Sequence, residues 1–178
     1  MSVVLVGQNP ALTLASGDSV TALASVWSVE WSLRGAGNAL VLWHAGDARV
    51  LGTDESLCQW VADTFTRQFP EARELAWDAT RFERADMRYE IDLERGFLAE
   101  GGDVTVEISE PLARRVFRTD DFPLDGVRYA MSNVFVPCGR ASVTIAGEPV
   151  PGAPIVKADP LRPSSSAFLA VAEVWSTA

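Results

Sequence analysis

The clearest pattern along the chain is an alternation of apolar and charged residues between positions 85 and 94. Apolar side chains occupy every second position from Ala85 to Leu93, and acidic or basic side chains occupy the positions between them. Side chains of a strand point alternately to its two faces, whereas a helix would spread these charges around its circumference. The pattern therefore predicts a strand with one buried and one solvated face.

A hairpin is predicted directly after this strand. The pair Gly101-Gly102 can adopt the positive φ angles that a tight turn requires. Val104, Val106 and Ile108 then alternate with polar residues, which indicates a second strand leaving the turn.

An earlier segment, from about Leu23 to Leu33, alternates in the same way and places Trp27 and Trp31 on one predicted face. Two tryptophans on one face could form a wall for a flat apolar ligand. They could equally fill the core with no ligand involved, which is the competing interpretation. Residues 39–43 are apolar at every position, as is typical of a central strand covered on both sides.

The period changes to that of a helix between residues 54 and 69. Thr53 precedes the repeat as a candidate N-cap, and Pro70 ends it. The sequence therefore predicts one amphipathic α-helix near 54–69, which either packs against a sheet face or plugs the open end of a barrel. Its apolar stripe recurs at every fourth position: Leu57, Val61, Phe65 and Phe69.

Strand patterns return over residues 127–135, 141–145 and 167–175, on both sides of a proline-rich segment at 149–163 that we expect to be a surface loop. About nine to eleven short strands with one helix predict a single, mainly β domain over residues 1–178. An antiparallel β-barrel, calycin-like in the broad sense, is favoured because closure removes exposed strand edges. A two-sheet β-sandwich is the alternative.

Composition and charge narrow the possible partners. The formal net charge is −9, and the longest basic run is the pair Arg114-Arg115, so neither nucleic acid nor an anionic membrane surface is an expected partner. The N-terminus lacks the basic and apolar regions of a signal peptide, and we expect a cytoplasmic protein. Fourteen arginines against a single lysine, Lys157, suggest a GC-rich bacterial genome.

We expect no metal and no cofactor. The chain has one histidine, His44, and two distant cysteines, Cys58 and Cys138, which are too few for a structural zinc or haem site. Residues 118–126 lack the spacing of an EF-hand loop, and no glycine-rich phosphate loop follows a strand.

Two residues are candidates for acid–base catalysis. His44 follows the apolar strand at 39–43, at a strand end where a barrel cavity could open. Glu173 interrupts an otherwise apolar segment, so burial would raise its pKa and make it a usable proton donor or base. The competing interpretations are a structural histidine and a solvated glutamate. Tyr129 and Asn133 share a largely apolar face with Met131 and are candidate ligand-orienting groups.

Three functional hypotheses follow. The first is a small-molecule-binding protein that holds a largely apolar ligand in an internal pocket. The second is a cofactor-independent isomerase, cyclase or hydratase in the same pocket, which requires at least two of the polar candidates around one cavity. The third is a homodimeric interaction or scaffold domain without a ligand, which would expose a large apolar patch.

Overall fold

The computed structural model describes residues 1–177 and folds most of them into strands. The two α-helices are α1 (Glu55–Thr64) and α2 (Pro70–Arg73), with a 3₁₀ turn at Thr66–Gln68 between them. The strands are β1 (Ser2–Gln8), β2 (Ala11–Ser16), β3 (Ser19–Ser32), β4 (Gly37–His44), β5 (Asp47–Gly52), β6 (Arg81–Arg84), β7 (Met87–Asp92), β8 (Gly96–Gly101), β9 (Val104–Pro111), β10 (Arg115–Leu124), β11 (Val127–Ile145), β12 (Glu148–Pro149), β13 (Ala153–Pro154), β14 (Val156–Lys157), β15 (Ser164–Ser165) and β16 (Ala167–Thr177).

One large sheet contains 14 of these strands. Its main order is β6-β5-β4-β3-β1-β16-β11-β9-β8-β7, and β10, β12, β13 and β2 attach beside this path. Among the strand pairs of residues 1–177, only β5 and β6 pair in parallel. The strands at the two ends of the main order are β6 and β7. The predicted mainly β fold is confirmed.

The hairpin between β8 and β9 agrees with the sequence pattern. Gly101 pairs with Val104, and Gly102 in the turn has a φ of 54°, a left-handed conformation that glycine adopts without strain. The preceding strand, β7, alternates in burial at every residue, because one face packs on the core and the other meets solvent.

Strand β4 is covered on both sides, as its apolar sequence predicts. Leu40 and Leu42 join a core that also contains apolar residues of β8, β9 and β11. Val41 and Trp43 point to the opposite side, into a second core that contains the buried face of α1. The helix thus packs on one face of β3–β5, and apolar residues of β8, β9 and β11 share a core with the other face of β4.

The helical region differs from its prediction in three details. The helix predicted near 54–69 is divided, since α1 ends at Thr64 and the 3₁₀ turn at Thr66–Gln68 follows it. Asp54, not Thr53, is the N-cap of α1, and its carboxylate accepts a hydrogen bond from Leu57 N at 3.0 Å. Pro70 begins the short helix α2, since proline fits the first helical turn, where its missing N–H is not needed. No helix among residues 1–177 has the length and apolar character needed to cross a membrane.

Replacing Asp54 with alanine is expected to lower the free energy of unfolding by about 1 kcal/mol, because the N-cap hydrogen bond is lost. The matched control is Thr53→Ala, which removes an exposed neighbour whose side chain does not cap the helix and should cost no more than about 0.5 kcal/mol. Urea denaturation of both variants measures the difference. A larger loss for Thr53→Ala would contradict the observed cap.

Trp27 and Trp31 do not share a face, contrary to the prediction from alternation. Gly7 of β1 pairs with Val29, whereas Val6 pairs with Trp31, so Glu30 is an extra residue that bulges from β3. A bulge reverses the faces of the residues beyond it. Trp27 is therefore fully buried while Trp31 is 49% exposed, and the two tryptophans form no common wall.

Candidate functional site

A cavity of about 370 Å³ opens beside β10, β11 and β16 and is bounded on its other side by the turn into α2. Its walls are mainly aromatic, and its polar lining comes from both acidic and basic side chains. The aromatic residues are Phe69, Phe117, Phe122, Phe135, Phe168 and Trp175; the others are Asn9, Pro70, Glu71, Arg115, Met131, Asn133, Arg162 and Glu173.

A bulge in β16 directs Glu173 toward this cavity. Val174 pairs with Ser132, and Val171 pairs with Val134, so two residues of β16 oppose the single Asn133 of β11. The extra residue is Ala172, whose φ of 50° lies in the left-handed region that alanine seldom adopts. Strict alternation would put Glu173 and Phe168 on opposite faces, whereas the bulge brings both to the cavity.

Glu173 is a buried carboxyl group, only 2% exposed. Trp175 Nε1 donates to Glu173 Oε1 at 2.6 Å, and Asn133 Nδ2 donates to Oε2 at 3.2 Å. Burial raises the pKa of Glu173 to about 7, although these two hydrogen bonds favour the ionised form and limit the rise. Both protonation states are consequently accessible near neutral pH.

The polar groups beneath the cavity are mainly acceptors. Asn133 is 7% exposed, and its Oδ1 atom has no hydrogen-bond partner among residues 1–177. The donors next to it, Asn133 Nδ2 and Trp175 Nε1, are already used by Glu173. The floor of the cavity is therefore acceptor-rich, and it offers no free cation to a ligand.

Packing holds Trp175 in place. Its ring stacks on Phe69 with centroids 6.1 Å apart and meets the edge of Phe122 at 5.3 Å. Phe65 and Tyr129 contact it from the core side at 5.1 and 5.8 Å. Such offset and edge-to-face pairs stabilise a fixed arrangement, so the indole N–H has a defined direction toward Glu173.

Basic groups lie at the opening. Arg115 is partly buried; its Nη1 donates to Pro163 O at 2.9 Å, and its guanidinium lies 5.1 Å from the ring centre of Phe135. Arg162 is exposed at the same opening. Glu71 is also exposed there, and desolvation by the protein around it raises its pKa.

A buried hydrogen-bond chain reaches the cavity from the core. Trp27 Nε1 donates to Thr66 Oγ1 at 3.0 Å, Thr66 donates to Ser25 Oγ at 3.1 Å, and Ser25 donates to Asn9 Oδ1 at 2.8 Å. Asn9 lines the cavity. These hydrogen bonds fix the side chain of Asn9 and connect the turn after α1 to strand β3.

The structure brings only some of the candidate site residues of the sequence analysis together. Glu173 and Asn133 line one cavity. Tyr129 lies behind the cavity wall, against Phe65 and Trp175, and Trp27 is inside the core. Trp31 is on the outer surface.

His44 lies away from this cavity, at the end of β4. Its Nδ1 is 2.7 Å from Thr21 O. Since a carbonyl can only accept, Nδ1 carries the proton and donates to it. This contact gives His44 a structural partner on the neighbouring strand and does not bring it to Glu173.

Several lining residues were missed because strand β10 was not predicted. Thr119 pairs with Met131 and Phe122 with Tyr129, so Asp120-Asp121 bulges opposite a single residue of β11. The bulge brings Phe117 and Phe122 to the same cavity although they are five positions apart. The available signal was Arg115-Val116-Phe117, an arginine and one aromatic residue at alternate positions, and it is too short to predict a strand.

The two cysteines and the acidic residues form no metal-binding cluster within residues 1–177. Cys58 and Cys138 are both buried and unpaired, in the two different cores. Burial raises the pKa of each thiol to about 11, which makes both poor nucleophiles at neutral pH.

No protein-family model, curated protein or solved structure matches this chain.

Proposed function

We propose that this chain binds a small, largely apolar molecule in the cavity above Glu173. The observation that carries the proposal is a buried carboxyl group, held by two hydrogen bonds, beneath walls formed by six aromatic residues. Ligand sites are typically apolar concavities of about 300–1,000 Å³ with a few fixed polar groups. A volume of about 370 Å³ suits a ligand of modest size.

Other grooves on the surface support the proposal less well. One of about 430 Å³ lies over β7–β9 and is lined by as much polar as apolar surface. Its ionisable side chains, including Glu90, Asp92 and Glu107, are exposed. The cavity beside β16, by contrast, combines aromatic walls with a buried ionisable group, Glu173.

We also propose that the large sheet folds over as two packed layers, in the manner of a β-sandwich. Two contacts support this arrangement. Arg49 of β5 donates to Asp103 in the β8–β9 turn at 2.6 Å, and Leu51 lies directly against Gly102. The first strands of the path thus lie over the last, with the core of β4, β8 and β9 between them.

Catalysis is the second candidate function, and Glu173 is the reason for it. A carboxyl group with a pKa of about 7 can both donate and accept a proton near neutral pH, as a general acid–base group must. With Asn133 beside it, the cavity could support a cofactor-independent isomerisation, cyclisation or hydration. The interaction-domain alternative predicts no sizeable cavity and ranks behind both.

Nuclear magnetic resonance of the Trp175 indole N–H tests ligand binding. Titration with a neutral apolar probe, N-phenyl-1-naphthylamine, is expected to shift this resonance more than those of the other five tryptophans, because Trp175 lines the cavity. Met131→Phe adds volume inside the cavity and should weaken binding at least tenfold.

The matched control is Ala130→Leu, on the adjacent residue of β11, whose side chain points to the opposite face of the strand. It should leave probe affinity within twofold of the wild-type value. The proposal is wrong if the probe leaves the Trp175 resonance unchanged, or if both substitutions weaken binding equally.

A further inference from the structure

Arg115 is a partly buried cation at the cavity opening. No carboxylate lies within 4 Å of it among residues 1–177, although the chain carries 24 acidic residues. Its hydrogen bond to Pro163 O and its position over Phe135 fix the guanidinium at the cavity opening. Most of its N–H groups remain free, and a guanidinium fork matches a carboxylate in two-point geometry.

The two ends of the cavity have opposite character. At the opening, Arg115 and Arg162 supply donors and two positive charges against the one exposed carboxyl group of Glu71, whereas Glu173 and Asn133 Oδ1 supply acceptors at the floor. An anionic group at the floor would meet the Glu173 carboxyl, and like charges in a desolvated site repel strongly. We therefore expect one anionic end to strengthen the binding of a ligand, and a second anionic end to weaken it.

We propose that the cavity selects small apolar monocarboxylates, with the carboxylate held by Arg115 at the opening and the apolar body between the aromatic walls above Glu173. This inference rests on the proposed ligand-binding function and adds the class of ligand to it. Arg162 contributes a weaker attraction, because it is exposed and its charge is screened by solvent and salt.

Three probes of equal chain length test the selectivity. Octanoate, octanamide and octanedioate differ only in their polar ends, and each is titrated at pH 8.5, where Glu173 is ionised, while the Trp175 indole resonance is followed. Octanoate is expected to bind at least tenfold more tightly than octanamide, because only octanoate can pair with Arg115. Octanedioate should bind at least threefold more weakly than octanoate, because its second carboxylate meets Glu173.

Variants separate this inference from the proposed function. Arg115→Gln should reduce the preference for octanoate over octanamide to less than threefold while octanamide still binds, and Arg115→Lys should retain part of the preference. The matched control is Arg114→Gln, which removes the neighbouring exposed cation that does not line the cavity, and it should keep the tenfold preference.

Each result decides between the two proposals. If octanoate and octanamide bind within twofold of each other, or if Arg114→Gln and Arg115→Gln have equal effects, the carboxylate selectivity is wrong while ligand binding stands. If no probe, including the neutral N-phenyl-1-naphthylamine, shifts the Trp175 resonance, both proposals are wrong.

Discussion

Glu173→Gln is expected to stabilise the protein by about 3 kcal/mol at pH 8.5 and to change its stability little at pH 4. The wild-type protein must keep an ionised carboxyl group buried at high pH, and a glutamine side chain removes that charge. The amide also suits the site once the Asn133 side-chain amide rotates by 180°, because its N–H then donates to Asn133 Oδ1, which has no partner in residues 1–177, while its oxygen accepts from Trp175 Nε1.

The pH range follows from the raised pKa of Glu173. Below pH 4.5, the ordinary value, the carboxyl group is protonated in both folded and unfolded chains. Between 4.5 and about 7 only the unfolded chain loses this proton, so the free energy of unfolding falls as pH rises. Above about 7 both states are ionised, and the full loss of about 3 kcal/mol is reached.

Urea denaturation of both proteins across pH 4–9 measures this difference. The control is Glu148→Gln, which removes a charge from an exposed position and should change stability by no more than about 0.5 kcal/mol at either end of the range. A Glu173→Gln effect that is the same at pH 4 and pH 8.5 would contradict the burial of this carboxyl group.

The second large effect is expected at Gly7, which pairs with Glu173 on one side and Val29 on the other. A Cβ atom at this position would lie 2.2 Å from Ser28 O, a backbone atom that cannot move without breaking strand pairing. Gly7→Ala should therefore lower the free energy of unfolding by about 3 kcal/mol. It should also weaken probe binding, because β1 fixes the position of the bulge that carries Glu173.

Gly139→Ala is the matched control for this substitution. Its added Cβ would lie 3.3 Å from the carboxylate of Glu110, the end of a flexible side chain that can move away. We expect a cost of no more than about 0.5 kcal/mol and unchanged probe affinity. Thermal and urea unfolding of both variants measure the costs, and equal losses would contradict the close approach of β1 and β3.

The sequence predicts this fold well where strands are regular. The alternation over β7, the hairpin at Gly101-Gly102 and the apolar strand β4 each correspond to an observed element. In a regular strand with one buried face, apolar and polar residues alternate with a period of two. In a strand that is buried on both faces, apolar residues occupy every position. These elements can be predicted without knowing which strands pair with them.

Prediction is weakest at the bulges, and the cavity is built around them. Extra residues at Glu30, at Asp120-Asp121 and at Ala172 each reverse the alternation beyond them. Their positions depend on the partner strand, which lies far away in the sequence. Glu173 could be singled out as a polar residue among apolar neighbours, but its hydrogen bond with Asn133 and its place beside the same cavity as Phe168 could not be derived.

The nearest test of the central claim is a nuclear magnetic resonance titration of the Glu173 side-chain carboxyl carbon, in the free protein and with saturating octanoate. We expect a midpoint near pH 7 in the free protein and a higher midpoint in the complex, because the apolar ligand removes remaining water from the cavity. A midpoint near pH 4.5 that octanoate does not move would contradict a buried carboxyl group beneath a ligand-binding cavity.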